Sequence, residues 1–404
     1  MAGTVGLKRV ISMPMLVFYG LGNILGAGIY VLIGEIAGVA GYHAPFAFVV
    51  ASLLVAPTAL SYAELSARFP VSAGESVYVD AAFGATWLST MVGLMIAAAG
   101  VVSIAALSRG FAGYLSVLVD LPETLVLTVL VGGLGALCAW GIGASVRVAA
   151  LLTLIEIGGL LLVVWAAGDS LAALPVRIFE LLPDASASAW RGIVAGAFLA
   201  FFAFLGFEDM VNVAEEVRDP VRDLPRAILV ALAAAALLYA AVTLVAVLAV
   251  PPERLGGSAA PLSLVFEAAT GRDAVVVTLI GLFAAVNGAL VQFVMVSRIL
   301  YGMSRRGWLP APLSRVGRRT GTPLVSTALT TMIVLVLSFG LPLVTLARTT
   351  SFIILAVFIL VNVALWRIKT RLPEVPDVPR LPEWVPILGA AAGAGFLLAS
   401  VLTA

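Results

Sequence analysis

The chain has 404 residues, 62% of them hydrophobic and 11% charged, with a formal net charge of +1. Soluble domains carry about 25% charge, so this composition is that of a polytopic membrane protein, and a net charge so close to zero argues against nucleic acid as a partner. A single cysteine, Cys138, and a single histidine, His43, exclude a disulfide framework and a cysteine-based zinc site and leave no basis for a His-metal site or a Ser-His-Asp triad. No cofactor is expected and the chain is not read as an enzyme. Its N-terminus lacks a cleavable signal pattern, because the first apolar run continues too far.

In chain order, eleven spans of about 20 residues, the length a bilayer core requires, are predicted. They run Pro14 to Val39, Ala44 to Phe69, Thr86 to Ala106 with an extension towards Leu118, Leu125 to Trp140 and Val148 to Ala167. A loop with Pro175, Pro183 and Asp184 precedes the sixth, Gly192 to Val213. Then come Ala227 to Val250, Ala274 to Met303, Pro323 to Phe339, Leu341 to Trp366 and Trp384 to Thr403. With the N-terminus inside, seventeen of the Lys and Arg residues fall inside and six outside. The positive-inside rule therefore puts the N-terminus in the cytoplasm of a multi-pass protein of the cell membrane.

Two of these spans are poor helix. In the first, Gly26 and Gly28 flank Ala27, and each glycine costs about 1 kcal/mol against alanine inside a helix. Such a break is tolerated in a bilayer only where protein buries it or it lines a wet cavity. Close packing of small residues on a neighbouring helix is the alternative for these glycines. The sixth span reads Phe201-Phe202-Ala203-Phe204-Leu205-Gly206-Phe207-Glu208-Asp209. A glycine followed by two carboxylates cannot face lipid at low cost. The two breaks lie five spans apart, and five is odd, so the two halves would have opposite orientation. Interrupted helices at matching places in inverted halves point to a transporter's binding site. The expected organisation is a first repeat over 1–190, an inverted second repeat over 191–370, and a linker with the eleventh span over 371–404.

Gly26-Ala27-Gly28-Ile29-Tyr30 resembles a signature of the amino acid–polyamine–organocation (APC) permeases. So does the Phe-rich run of the sixth span, followed by Asn212-Val213-Ala214-Glu215-Glu216-Val217-Arg218-Asp219-Pro220. Phe69 to Tyr78, Asn287-Gly288, Arg298 to Met303 and Gly307-Trp308-Leu309-Pro310 match further pieces in the family's order. The resemblance covers roughly residues 10 to 370. It implies an all-α, leucine-transporter-like fold of five plus five inverted spans with broken helices 1 and 6, plus one extra span. It also implies a substrate site at the breaks. Amides of Ala27 and Gly28, beside Gly26, would hold a carboxylate, with help from the helix dipole. Carbonyls of Ile24, Phe202 and Leu205 would hold an ammonium, and Ala203 and Phe207 would adjoin them. Phe202 stands where the family places an aromatic gate. Gly100, Ser103 and Asn287 would shape the side-chain pocket. The chain departs from the pattern in three places: Ser76 replaces a usual tyrosine, eleven spans replace twelve, and Glu156 stands where several members carry lysine.

Glu208 and Glu156 are the candidate coupling residues, since a carboxylate in an apolar span is costly as an unpaired anion and can exchange a proton. The eighth span has no Ser/Thr pair beside Asn287 to favour sodium, so coupling to a proton, or sodium-independent exchange, is expected. The function implied is secondary active transport of a neutral amino acid by alternating access. An amino acid/polyamine exchanger, or a non-transporting amino acid sensor or structural subunit, remains as an alternative.

Overall fold

The structure, a computed structural model, describes residues 9, 11–71, 74–140, 145–317, 320, 322–371 and 378–403. Of the residues used above, Lys8, Arg318 and Arg319 lie outside this set, as do Ser72 and Ala73 of the Phe69–Tyr78 motif and part of the linker before the last span. The chain folds into α1 (Met13–Leu25), α2 (Ala27–Ala40), α3 (Ala44–Arg68), α4 (Gly74–Phe83), α5 (Thr86–Ser116), α6 (Glu123–Trp140), α7 (Ser145–Ala166) and α8 (Leu174–Leu181). It continues through α9 (Ala187–Ala203), α10 (Pro220–Ala249), α11 (Pro252–Gly256), α12 (Pro261–Thr270), α13 (Val275–Arg305), α14 (Leu324–Gly340), α15 (Leu343–Arg371) and α16 (Trp384–Thr403). Among the described residues there is no strand, only an isolated parallel bridge between Ile11 and Val217.

Six helical runs are long and apolar enough to cross a membrane: Met13–Arg68, Thr86–Ser116, Ala187–Ala214, Pro220–Ala249, Val275–Arg305 and Leu343–Arg371. The first, at 56 residues, is far longer than one crossing needs, and it is interrupted at Gly26 and again at Gly41–His43. Leu151–Ala166 and Gly168–Leu181, bent by 49°, make a seventh. Three further apolar helices, Glu123–Ala139, Leu324–Gly340 and Trp384–Ser400, are shorter. At 1.5 Å per residue the 17 residues of α14 reach about 26 Å, so length alone does not carry the count to eleven.

The helices begin and end where their chemistry allows. Proline occupies the first turn of α1, α3, α10 and α12, where its missing N–H costs nothing. Ser186 caps α9, its Oγ accepting from the Ala189 amide at 3.2 Å. The predicted seventh span starts too late: α10 begins at Pro220, because its first two turns carry Arg222, Asp223 and Arg226 and look polar while already helical.

Both interrupted helices lie in the middle of the molecule. α1 packs on α7 and α10, α2 on α9, and the long α5, α13 and α15 pack beside them. Large apolar side chains such as Trp165, Leu237 and Met332 point outward and are exposed. That inverts the arrangement of a water-soluble surface and suits lipid.

One buried carboxylate ties the ends of this bundle together. Glu64 on α3 accepts from Arg68 at 2.7 Å and from Lys369 on α15 at 2.8 Å, and also from the Leu381 amide at 3.0 Å. Its side chain has no exposed surface, and that of Lys369 is 1% exposed. Replacing one partner of such a buried ion pair leaves the others unpaired, at about 3–5 kcal/mol. Glu64→Gln is therefore expected to lower the unfolding midpoint of the detergent-solubilised protein markedly, read by a thermal-unfolding assay, whereas Glu123→Gln, at the exposed pair with Arg109, should change it little.

Candidate functional site

The two helix breaks are built against each other. α1 stops at Leu25, and Gly26, at φ −24° and ψ −157°, turns the chain into α2. α9 stops at Ala203, with the Phe204 amide donating to Phe201 and the Leu205 amide to Phe202. The chain then reverses at Gly206, whose φ of +122° L side chains rarely adopt. A Cβ at Gly206 would come within 2.7 Å of the Asn23 carbonyl carbon and 3.0 Å of the Ile24 nitrogen, so the second break rests directly on the backbone of the first. The contact is returned at Gly28, where a Cβ would meet the Ala203 Cα at 2.7 Å. Both glycines are close-approach positions. A side chain at 28 would meet Ala203, so the glycine there is required by the packing of the two breaks.

Polar groups close the junction. The Asn23 Nδ2 donates to the Gly206 carbonyl at 2.9 Å and to Asp209 Oδ2 at 2.8 Å. Gln292 on α13 donates to the same oxygen at 2.8 Å. Glu208 folds back so that its Oε2 accepts from the Gly206 amide at 2.8 Å, capping the turn. From α10, the Tyr239 hydroxyl lies 2.6 Å from the Ile24 carbonyl and 2.8 Å from that of Ala203. A hydroxyl has one proton, so it serves these two carbonyls in turn. The first amides of α2, at Ala27 and Gly28, stand at a helix start, where no carbonyl of the helix can reach them.

The expected residues divide into two groups. Ile24, Gly26, Ala27, Gly28, Phe202, Ala203, Leu205, Phe207 and Glu208 come together at the breaks. Phe202 is buried in α9, and Phe207 stacks edge-on with Tyr62 and tilts on Phe358. Ser103 and Gly100 line a narrow cavity beside this junction, with Leu205, Glu208, Asp209, Tyr62, Glu75 and Gln292. Glu156 and Asn287 form a separate pair: the Asn287 Nδ2 donates to Glu156 Oε1 at 2.9 Å. Asn287 thus serves one oxygen of Glu156 and is absent from the cavity lining. The second oxygen of Glu156, Oε2, is buried and has no partner among the described residues. Tyr30 holds the backbone of this residue, its hydroxyl donating to the Glu156 carbonyl at 2.7 Å.

Six residues of the junction were given no site role by the sequence reading: Asn23, Tyr62, Glu75, Asp209, Tyr239 and Gln292. A signal existed for three of them. Asp209 is one of the two carboxylates that mark the second break, Asn23 is a carboxamide inside an apolar run, and Glu75 is an acid within the Phe69–Tyr78 motif. Glu75 sits on α4, a helix too short to span, and accepts from the Tyr62 hydroxyl at 3.3 Å. Burial, with the negative charge of Asp209 adding to it, pushes the Glu75 carboxyl up to about 8.

Comparison with known proteins agrees with this architecture. The family profile described as "Amino acid permease" matches residues 11–404. The chain belongs to that family. A branched-chain amino acid permease of Bacillus subtilis is 30% identical over 415 residues, covering 97% of this chain and 87% of its own. A cationic amino acid transporter of Arabidopsis thaliana, described as mitochondrial, is 29% identical over 412 residues, covering 93% of this chain and 64% of its own. Among solved structures, MhsT in complex with L-phenylalanine superposes with a TM-score of 0.68, covering 98% of this chain and 100% of that one at 16% identity. The permease therefore has the leucine-transporter-like fold with helices 1 and 6 broken, and it is a transporter and not an enzyme.

Two outcomes follow from the junction. Gly206→Ala forces a left-handed backbone onto a side chain, at about 1–3 kcal/mol, and drives its Cβ into Asn23; it is expected to lower the thermal midpoint well below that of Gly158→Ala, a glycine with open space around it. For Glu75, the folded permease holds the proton more tightly than the unfolded chain, whose carboxyl titrates near 4.5. Its contribution is full below that value and lost as the pH rises to about 8. Glu75→Gln should accordingly flatten the fall in thermal midpoint between pH 5 and pH 8.

Proposed function

We propose that this permease is a secondary active transporter of amino acids that works by alternating access around the two breaks. The observation that carries the reading is the mutual seating of the breaks: free amides of α2 and the carbonyl ends of α1 and α9 converge on one junction. A zwitterion needs such a pair of ends, donors for its carboxylate and acceptors for its ammonium. On this reading the amides of Ala27 and Gly28 take the carboxylate. The carbonyls of Ile24, Phe202 and Leu205 take the ammonium, and Phe202 closes over the substrate. A carbonyl has two lone pairs, so Ile24 can accept from an ammonium while Tyr239 keeps its contact.

The two repeats, 1–190 and 191–370, are proposed to rock against each other, with the last helix added outside them. The N-terminus is placed in the cytoplasm, supported by the seventeen-to-six distribution of Lys and Arg. Coupling is assigned to a proton on Glu208 or Glu156, the alternative being sodium-independent exchange. Both carboxylates are buried and hydrogen-bonded to uncharged donors.

Uptake of radiolabelled amino acids into proteoliposomes tests this. Accumulation driven by an inward proton gradient and abolished by a protonophore is the expected result. Glu208→Gln is expected to flatten the pH dependence of net uptake more than Glu156→Gln. Counterflow without gradient-driven accumulation would identify an exchanger. Saturable binding with no flux in either assay would identify a sensor and defeat the proposal.

A further inference from the structure

Between α7 and α9 the sequence predicts a loop containing Pro175, Pro183 and Asp184. In the structure the chain bends by 49° after Ala166. It makes a 3-10 turn over Gly168–Ala173 and continues as α8, with Pro175 in the first turn. At 1.5 Å per residue the eight residues of α8 reach about 12 Å, too short to cross a bilayer. α8 therefore lies at the membrane face where α7 ends and α9 begins. Trp165, one residue before the end of α7, is exposed, and so is Trp190 in the first turn of α9. Outward tryptophans at helix ends mark the layer between water and hydrocarbon.

The polarity of α8 is inside out. Val176 and Phe179 are 83% and 84% exposed, and Leu182, just past the end of the helix, is 51% exposed. Positions three apart share a helix face, so these side chains form one outward apolar stripe. The cation of α8, Arg177, is turned the other way, against the protein. Its guanidinium lies 4.6 Å from the centre of the Tyr42 ring. It donates to the Leu248 carbonyl at 3.3 Å and pairs with Glu180 at 2.9 Å. Tyr42 sits in the turn between α2 and α3, and Leu248 in the last turn of α10. A cation is attracted to an aromatic face, so the polar side of α8 is held down by two other segments and its apolar side is left outward. A helix on a water-facing surface has the opposite arrangement.

We infer that α8 is an interfacial helix that beds Val176, Phe179 and Leu182 in the phospholipid of the leaflet where α7 ends, and that Arg177 is the positioning residue that sets which face meets lipid. The stripe follows directly on the outward apolar side chains of α7, Leu154, Leu161 and Trp165, so it prolongs the surface that already faces lipid. A second copy of the chain is a poorer occupant. Three side chains on a helix of about 12 Å offer far less than the ~800 Å² per partner that a stable interface buries. Helices of this kind lie in the membrane plane with the apolar face sunk about 5–10 Å into the boundary of headgroups and acyl chains. Through Tyr42 and Leu248, α8 braces the turn that follows α2 and the end of α10, the helix that carries Tyr239 to the breaks. The inference is independent of which substrate is carried.

Spin labelling tests this. Cys138 is the only cysteine in the sequence and is buried, so labels go on the otherwise unmodified full-length chain and the parent protein supplies the background. Phe179→Cys and Val176→Cys place a label at two strongly exposed positions, in nanodiscs of phosphatidylcholine and phosphatidylglycerol. Collision with oxygen, which concentrates in hydrocarbon, is compared with collision with a nickel chelate, which stays in water. Leu237→Cys, exposed on α10, gives the lipid value, and Ala185→Cys, exposed in the loop after α8, gives the water value. The oxygen-to-nickel ratio at 176 and 179 is expected to exceed that at 185 several-fold and to approach that at 237. Adding Arg177→Gln is expected to lower the ratio at 179 and to leave that at 237 unchanged. A ratio at both positions equal to that at 185 places α8 in water and overturns the inference. Poor access of both reagents means that protein covers the stripe, and this also overturns it. An unchanged ratio with Arg177→Gln overturns the positioning role of Arg177.

Discussion

The close seating of one broken helix on the other is the constraint on which the rest of the structure depends. Gly206 rests on the Asn23–Ile24 backbone and Gly28 on Ala203. Neither contact leaves room for a side chain, so the backbones themselves form the joint. Their unpaired ends are met by groups from elsewhere: Glu208 from the turn, Asn23 from α1 and Tyr239 from α10, while Gln292 from α13 holds the Asp209 side chain that Asn23 also reaches. Five segments are thereby fixed relative to one another by the needs of two interrupted helices. In hydrocarbon no other arrangement is open to them, since water is not present to take up the slack.

The breaks were legible because they violate a simple rule. Gly-Ala-Gly and Gly-Phe-Glu-Asp cannot sit comfortably in an apolar helix facing lipid, and each violation marks a place where protein must supply what lipid cannot. The network around them was not legible for an equally physical reason. Asn23 and Asp209 are 186 positions apart in the chain, and nothing local to either announces the other. Tyr239 looks like any aromatic in a hydrophobic helix until its hydroxyl is placed. Asn287 was expected to shape the pocket from the family resemblance, and its side-chain amide donates to Glu156. The early start of α10 shows a related limit: hydropathy finds where a segment enters lipid, whereas this helix begins at Pro220 and runs through Arg222, Asp223 and Arg226 before its apolar stretch.

The buried acids are managed in three ways. Glu64 is held by full charge, from Arg68 and Lys369, and its role is to fasten helices. Glu156 has one amide and an orphaned oxygen. Glu75, Glu208 and Asp209 have hydroxyl and amide partners and an open cavity. The gradient runs from complete compensation at the edge of the bundle to incomplete compensation at its centre. Incomplete compensation is costly for folding, and its concentration at the junction of the two breaks marks where this fold has given up stability for another purpose.

The Tyr239 hydroxyl adds a dynamic element to this picture. It has one hydrogen and two waiting carbonyls, at the ends of two different helices. Whichever carbonyl receives the hydrogen, the other faces only an oxygen lone pair. The joint between the two helix ends therefore has two bonding patterns that differ by the rotation of a single O–H, so one side chain from α10 couples the end of α1 to the end of α9 without fixing which of them it serves.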